Sequence, residues 1–248
     1  MSQKNETSSF ERLIKVGIAL SGERDTNRLL ETILFEAKDL SNADGGTLYL
    51  SDKDGNLKFE TMSTNSLNFA MGGTTGKEIP YPPVLLFDPK TGEKNLTNVA
   101  SSAALTGKSI NISDAYSSKD YDFTGTKKFD EGTGYHSKSF LTVPMKNSQS
   151  KVIGVLQLLN AKNLQTGEVI SFGDNIQPLI EALASQAAMA LDNRQLLDAQ
   201  KALLDSFIEL IGSAIDSKSP YTGGHCQRVP ELTKLLAVAA CKETDGPF

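Results

Sequence analysis

Cysteine and histidine are both scarce in this 248-residue chain, with two of each. Cys226 and Cys241 are too few for a disulfide framework at this length and are expected to be reduced thiols. Long apolar runs are missing too. No stretch reaches the roughly 18 residues that a membrane-spanning helix needs, and the opening MSQKNETSSFERL has no apolar signal region. No membrane partner is expected, and the chain reads as cytoplasmic. Nor is there a basic stripe with interleaved aromatics: 30 acidic against 25 basic residues leave a formal charge of -5, so nucleic-acid binding lacks electrostatic support. With 39% hydrophobic and 22% charged residues, the composition is that of a globular protein with a real core. The length suits one sizeable domain with helical extensions or two small ones.

Periodicity predicts two opening helices, Phe10 to Leu20 and Thr26 to Leu40, the second capped by Asp25 or Thr26 and apolar along Leu29, Leu30, Ile33, Leu34 and Ala37. Alternation around Asp54-Gly55 predicts a hairpin of strands Thr47 to Ser51 and Leu57 to Met62. A second hairpin, SFLTVPM and VIGVLQLLN around KNSQSK, is expected at the centre of the sheet. Between the hairpins lies a long stretch rich in Gly, Pro, Ser and Asn, with a short helix near Asn98 to Leu105 and a strand from Ser109 to Asp114. Loops this long are usually functional. From Asn175 to Ile215 the pattern is helical again, with Pro178 in the first turn. Leu183, Ala190, Leu197, Leu204 and Ile211 recur every seven residues, but Arg194 and Lys201 interrupt the interleaved positions. The first half can lie on the chain's own sheet. Beyond Asp192 the leucines, Phe207 and the isoleucines need a partner, most simply the same helix of a second subunit in a parallel homodimer, with the first helix packing beside it.

Catalytic signatures are absent: there is no Gly-x-Ser-x-Gly elbow and no phosphate-cradling glycine loop. His136, in TGYHSKS, has no acid or nucleophile fixed beside it and reads as a surface or loop-packing residue. His225 follows Gly223-Gly224. A metal site needs three or four convergent ligands, and past His225 only Cys226, Glu231, Cys241, Glu243 and Asp245 remain, without the short spacings of a closed site. No complete metal site and no cofactor is expected in this chain.

The motifs NISDAY, FDEGTGY, TVPM and GVLQLLN, in this order and spacing, resemble a GAF domain of the type fused to cyclases and phosphodiesterases, over roughly Thr26 to Leu191. The resemblance implies an α+β fold: a six-stranded antiparallel sheet with the N- and C-terminal helices on one face, a small-molecule pocket on the other, and a long C-terminal signalling helix. Cyclic nucleotides are the best-known ligands of that family. Its nucleotide-binding pattern falls on Thr47 and Phe59 on the sheet side, Val99 and Ala100 as backbone groups of the short helix, Asp130, Thr133 and Ser137 from the loop, and Gln157 from the next strand. Each polar position has an alternative reading as an ordinary turn or strand residue. The family's Asn-Lys pair is only half present, since Ala161 follows Asn160, with Lys162 one place late. Phe172 and Asp174 match the acid that the lysine ties to, and Tyr81 to Thr97 is an insertion that would cover or fill the pocket. Residues Ala214 to Ala240 are similar to the start of an HD-GYP domain, a metal-dependent phosphodiesterase of cyclic di-GMP, with His225 at its first metal-ligating histidine. The remaining ligands, and the divalent metal, are expected outside this chain. The implied division is an N-terminal helix 1–25, a GAF sensor 26–191, a linker helix 192–217 and the start of an HD-GYP domain 218–248. The expected function is a small-molecule sensor, not itself an enzyme, that regulates such a phosphodiesterase; the alternative is a vestigial pocket on a dimerisation module.

Overall fold

The computed structural model describes residues 2–218 and 225–242, with side chains placed for 11–215 and 228–242. The chain divides into two compact units, 1–194 and 195–248. The first opens with α1 (Ser2–Gly22) and α2 (Thr26–Ser41). Asp25 caps α2, its side chain accepting the Arg28 N–H at 3.0 Å, and Asn42 ends it in the left-handed conformation.

Strands β1 (Ala43–Ser51), β2 (Leu57–Thr64) and β3 (Phe69–Gly72) form an antiparallel meander. The first hairpin turns where expected, with Gly55 at φ 81°. After a long connection come α3 (Val99–Thr106), β4 (Ile110–Ile112) and α4 (Thr124–Thr133), then the second hairpin β5 (Phe140–Lys146) and β6 (Val152–Lys162), the two-residue β7 (Val169–Ile170) and α5 (Gln177–Lys218). The sheet order β3-β2-β1-β6-β5-β4 is the expected six-stranded antiparallel path, and β7 adds a short pairing to β6.

Three of the expectations shift. β1 starts at Ala43, four residues early, because Gly45 and Gly46 belong to the strand: a side chain at Gly46 would meet the Leu34 methyl at 2.8 Å, so α2 packs this closely only over glycine. α4 forms where a loop was expected, started by Asp122 accepting the Thr124 N–H at 2.8 Å and ended by Gly134 at φ 70°. β3 was also unforeseen, since FAMG carries no alternation.

The main core lies between one sheet face and the helices α1, α2 and the first part of α5. Leu48, Leu141, Leu156 and Leu158 from the sheet meet Leu30, Ile33, Ile180 and Leu183, all at or below 1% exposure. α3 and the segment around Phe123 cover the other face through two smaller clusters. In the second unit, the remainder of α5 carries Leu196, Leu197, Leu203, Leu204, Phe207 and Ile208, all exposed. A final helix, α6 (His225–Ala240), exposes Leu232, Leu235 and Leu236. Among the described residues no helix is long and apolar enough to cross a membrane.

Candidate functional site

Strand register sorts the sheet face under α3 into rows. Thr47 pairs with Gln157 and Gln157 with Thr142, so one row carries three polar side chains across β1, β6 and β5. The next row pairs Phe59 with Tyr49 and Tyr49 with Val155. The Tyr49 hydroxyl donates to Gln157 Oε1 at 3.2 Å, and Gln157 Nε2 donates to Thr142 Oγ1 at 3.1 Å. Burial pushes the Tyr49 phenol up, against a hydrogen bond with Thr47, so it stays a neutral donor. A polar ladder thus runs through an otherwise apolar face. Tyr49 and Thr142 were missed in the sequence reading, although Tyr49 lies two residues from Thr47 and so on the same strand face.

Above the ladder, Asn98 caps α3 by accepting the Ser101 N–H at 3.1 Å. Val99 packs with Ile112 and Phe140, and Ala100 with Tyr49 and Val155. Ser101, on the same short helix, is 0% exposed, and its hydroxyl finds no hydrogen-bond partner among the described residues. The insertion forms a strap. Leu57 and Val84 exchange backbone hydrogen bonds at 3.0 and 2.8 Å, and the Tyr81 ring lies 5.7 Å from Phe59, itself 4.7 Å from Tyr49. The strap therefore covers Phe59.

Asp130 and Ser137 bind each other. One carboxylate oxygen of Asp130 accepts the Ser137 hydroxyl, and the other accepts the Ser137 N–H and the Tyr116 hydroxyl, each at 2.8 Å. Thr133 is exposed at the end of α4, its hydroxyl donating to the Phe129 carbonyl at 2.7 Å. Of the eight sequence-derived positions, Thr47, Phe59, Ala100 and Gln157 gather around Tyr49 and its row, Val99 packs alongside, and Asp130 of α4 clamps Ser137 of the following loop. The His136 ring lies 4.4 Å from that of Tyr116, in a loop-packing role. The side chain of His225 lies outside the described residues; among those described, no group of three or more His, Cys, Asp or Glu is placed to hold a metal ion.

Asp44 is a node that the sequence reading did not find. It is 3% exposed and accepts Lys162 Nζ and the Ser66 hydroxyl, each at 2.5 Å, the Tyr135 hydroxyl at 2.8 Å and the Ser66 N–H at 3.2 Å. Burial opposes its charge, but the hydrogen bonds of Lys162, Ser66 and Tyr135 outweigh it and hold the carboxyl below its usual range. Lys162, one place after the position of the family lysine, thus ties to Asp44 on β1. Two residues before it, Asn160 is left-handed at φ 54° and uses its side chain to accept the Lys138 and Ser139 N–H groups and donate to the His136 carbonyl.

A model of the GAF domain family matches residues 25–191. Among curated proteins, the chain is 24% identical over 225 residues to the dual 3',5'-cyclic-AMP and -GMP phosphodiesterase 11A of Takifugu rubripes, covering 88% of this chain and 22% of that one. It is 25% identical over 204 residues to the cGMP-specific 3',5'-cyclic phosphodiesterase of Drosophila mojavensis, covering 80% and 16%. The chain thus spans about a fifth of these relatives' length. Among solved structures, the GAF domain of a phosphoenolpyruvate-protein phosphotransferase from Coxiella burnetii superposes with TM-score 0.57 at 15% identity, covering 79% of this chain and 99% of that one. The free methionine-R-sulfoxide reductase of Neisseria meningitidis does so with TM-score 0.51 at 14% identity, covering 76% and 91%. These structural likenesses concern the fold.

The Asp44 node makes a pH-dependent contribution to stability. A carboxyl whose folded pKa is depressed below the unfolded value, about 3.9, stabilises fully above that value and loses its effect as pH falls through the folded one. Asp44→Asn should cost about 2 to 3 kcal/mol at pH 7, below the roughly 3 to 5 kcal/mol of a fully buried pair because the Lys162 side chain is 36% exposed. Urea titrations of both proteins should show the gap closing below about pH 4. A gap that stayed constant down to pH 2 would exclude the charge as its source.

Proposed function

Because the chain belongs to the GAF family, we propose that it is the ligand-sensing regulatory region of a phosphodiesterase, with its small-molecule site on the α3-covered face of the sheet. The observation that carries this reading is the Tyr49–Gln157–Thr142 ladder under α3. An amide and hydroxyls in an apolar cleft can read the edge of a purine, and Phe59 offers a stacking surface. Thr47, Phe59, Val99, Ala100, Asp130, Thr133, Ser137 and Gln157 are the proposed ligand-binding set, and a cyclic nucleotide is the proposed ligand class, in line with the names of the curated relatives. A second reading, a vestigial pocket on a dimerisation module, is favoured by Tyr81, which already covers Phe59.

Calorimetry with cyclic AMP and cyclic GMP separates the two. Binding is expected, tighter in Tyr81→Ala, and weakened by about 1 to 3 kcal/mol in Phe59→Ala through lost base stacking. Silence with both nucleotides, in wild type and Tyr81→Ala alike, would favour the vestigial reading; unchanged affinity in Phe59→Ala would put the ligand elsewhere.

The proposed output is a parallel homodimer through α5 in a cytoplasmic regulator. Burying each large apolar side chain after Arg194 against a partner is worth up to about 1.5 to 3 kcal/mol before association entropy. Ligand biases such a helix only by binding two of its arrangements with different affinity. Sedimentation should find a dimer for the whole chain and a weaker one for a chain ending at Leu191. A monomer at micromolar concentration, or equal dimers, would refute α5 as the main contact.

We also propose that residues from Ala214 onward lead into an HD-GYP phosphodiesterase domain for cyclic di-GMP, His225 being one of its metal ligands. The support is the sequence around Gly223-Gly224-His225 alone. One imidazole leaves most coordination positions to water, so this donor set does not make a site by itself. The 248-residue chain should therefore neither hold a metal tightly nor turn over cyclic di-GMP. Stoichiometric iron, manganese or zinc in the purified chain, or measurable cleavage, would refute this.

A further inference from the structure

Two hollows open beside α2, away from the Gln157 row. One, about 430 Å³, lies between α2 and the β2–β3 hairpin; the other, about 290 Å³, lies between the end of α2 and Asp44 and Lys162. They share Phe35, Lys38 and Asn65. Lys38 is 6% exposed, and its ammonium donates to Ser63 Oγ at 3.0 Å and Asn65 Oδ1 at 2.7 Å, both neutral. Of the other charged groups lining the hollows, Glu31 alone likewise has only neutral partners. Asp39 pairs with Arg12, Asp44 pairs with Lys162, and Glu31 accepts the Thr74 N–H and hydroxyl. Asp44 acts on Lys38 only at longer range, and burial holds the ammonium below its usual range. An ammonium has three N–H donors, and a buried cation with neutral partners alone is costly.

The larger hollow supplies what an anion with an organic body would need. Lys38 stands at its polar end, and Phe35, Leu34 and Phe69 form apolar walls, with the Phe35 ring 65% exposed at the rim. A lone ammonium suits a monoanion. A phosphate dianion would call for guanidinium forks or a nest of backbone N–H groups, and the Glu31 carboxylate in the same hollow disfavours a second negative charge. We infer that the hollow between α2 and the β2–β3 hairpin binds a small carboxylate with a flat apolar body, its anionic group on Lys38 and its body against Phe35 and Phe69. This site is separate from the proposed nucleotide site, so either can fail without the other.

Titrating the isotopically labelled full chain with benzoate tests the assignment by amide shifts in NMR spectra. Saturable shifts at Lys38, Asn65, Asn68 and Phe69 are expected, with a dissociation constant on the order of 1 to 10 mM for so small a ligand. Benzamide, the neutral isostere, and inorganic phosphate should leave these amides unmoved. Lys38→Met, which keeps the chain's length without its charge, should weaken benzoate at least tenfold. Phe35→Ala, at an exposed ring that the fold does not need, should weaken it severalfold and serves if the first variant does not fold. No saturable shift in the wild type, equal shifts with benzamide, displacement of benzoate by phosphate, or unchanged affinity in the variants would each overturn the inference.

Discussion

The carboxylate of Asp44 is almost wholly removed from water, and a stranded charge there would cost several kcal/mol. Its donors come from the β2–β3 turn through Ser66, from the loop after α4 through Tyr135, and from the end of β6 through Lys162. All three segments must arrive before the charge is satisfied, so the node closes the fold as a unit. It also sets the site. Tyr135 lies two residues from Ser137, and the loop between α4 and β5 brings Ser137 back onto Asp130 of α4. Asn160 holds the same loop from the other side through the Lys138 and Ser139 N–H groups. The loop over the proposed pocket is therefore fixed at two points that are not themselves part of the pocket.

Features visible in the sequence were those whose cause is local. Asp54-Gly55 turns because glycine takes the positive φ, Asn98 caps α3 with its own side chain, and the apolar face of α2 is a 3.6-residue repeat. Hidden features had distant causes. Asp44 and Lys162 are 118 residues apart, and neither position looks buried from its neighbours. Gly45-Gly46 reads as a loop until Leu34 is known to lie over it. Lys162 stands one place after the family lysine, and its ammonium goes to Asp44 on β1, the strand that β6 already pairs with.

The candidate site was legible in a similar proportion. Thr47 and Gln157 were found through the family resemblance, and the β1–β6 pairing sets them side by side; two-residue alternation from Thr47 then leads to Tyr49. The strap was legible as an insertion, but not its seat: the placing of Tyr81 over Phe59 depends on the Leu57–Val84 bridge, a pairing 27 residues long in sequence with no local signal. Asp130 shows the opposite case, a residue found through resemblance whose hydrogen bonds, made from α4, go to Tyr116 and Ser137 in the segments on either side of that helix.

Coupling between this face and α5 needs only the thickness of one strand. On β6, Gln157 faces the α3 side, while its neighbours Leu156 and Leu158 face the main core with Ile180 and Leu183 of α5. These four leucine and isoleucine side chains are at or below 1% exposure, and a close-packed core transmits displacement rather than absorbing it. Thr142 is related to Leu141 and Val143 in the same way on β5. A ligand that drew the Gln157 amide away from Tyr49 and Thr142 would move the β6 backbone, and the leucines on either side would carry that movement to α5. Helix α1 joins the same cluster through Leu13, Val16 and Leu20, so both terminal helices of the unit rest on strands whose opposite faces hold the ladder. A bistable arrangement of that cluster is what ligand binding would have to bias.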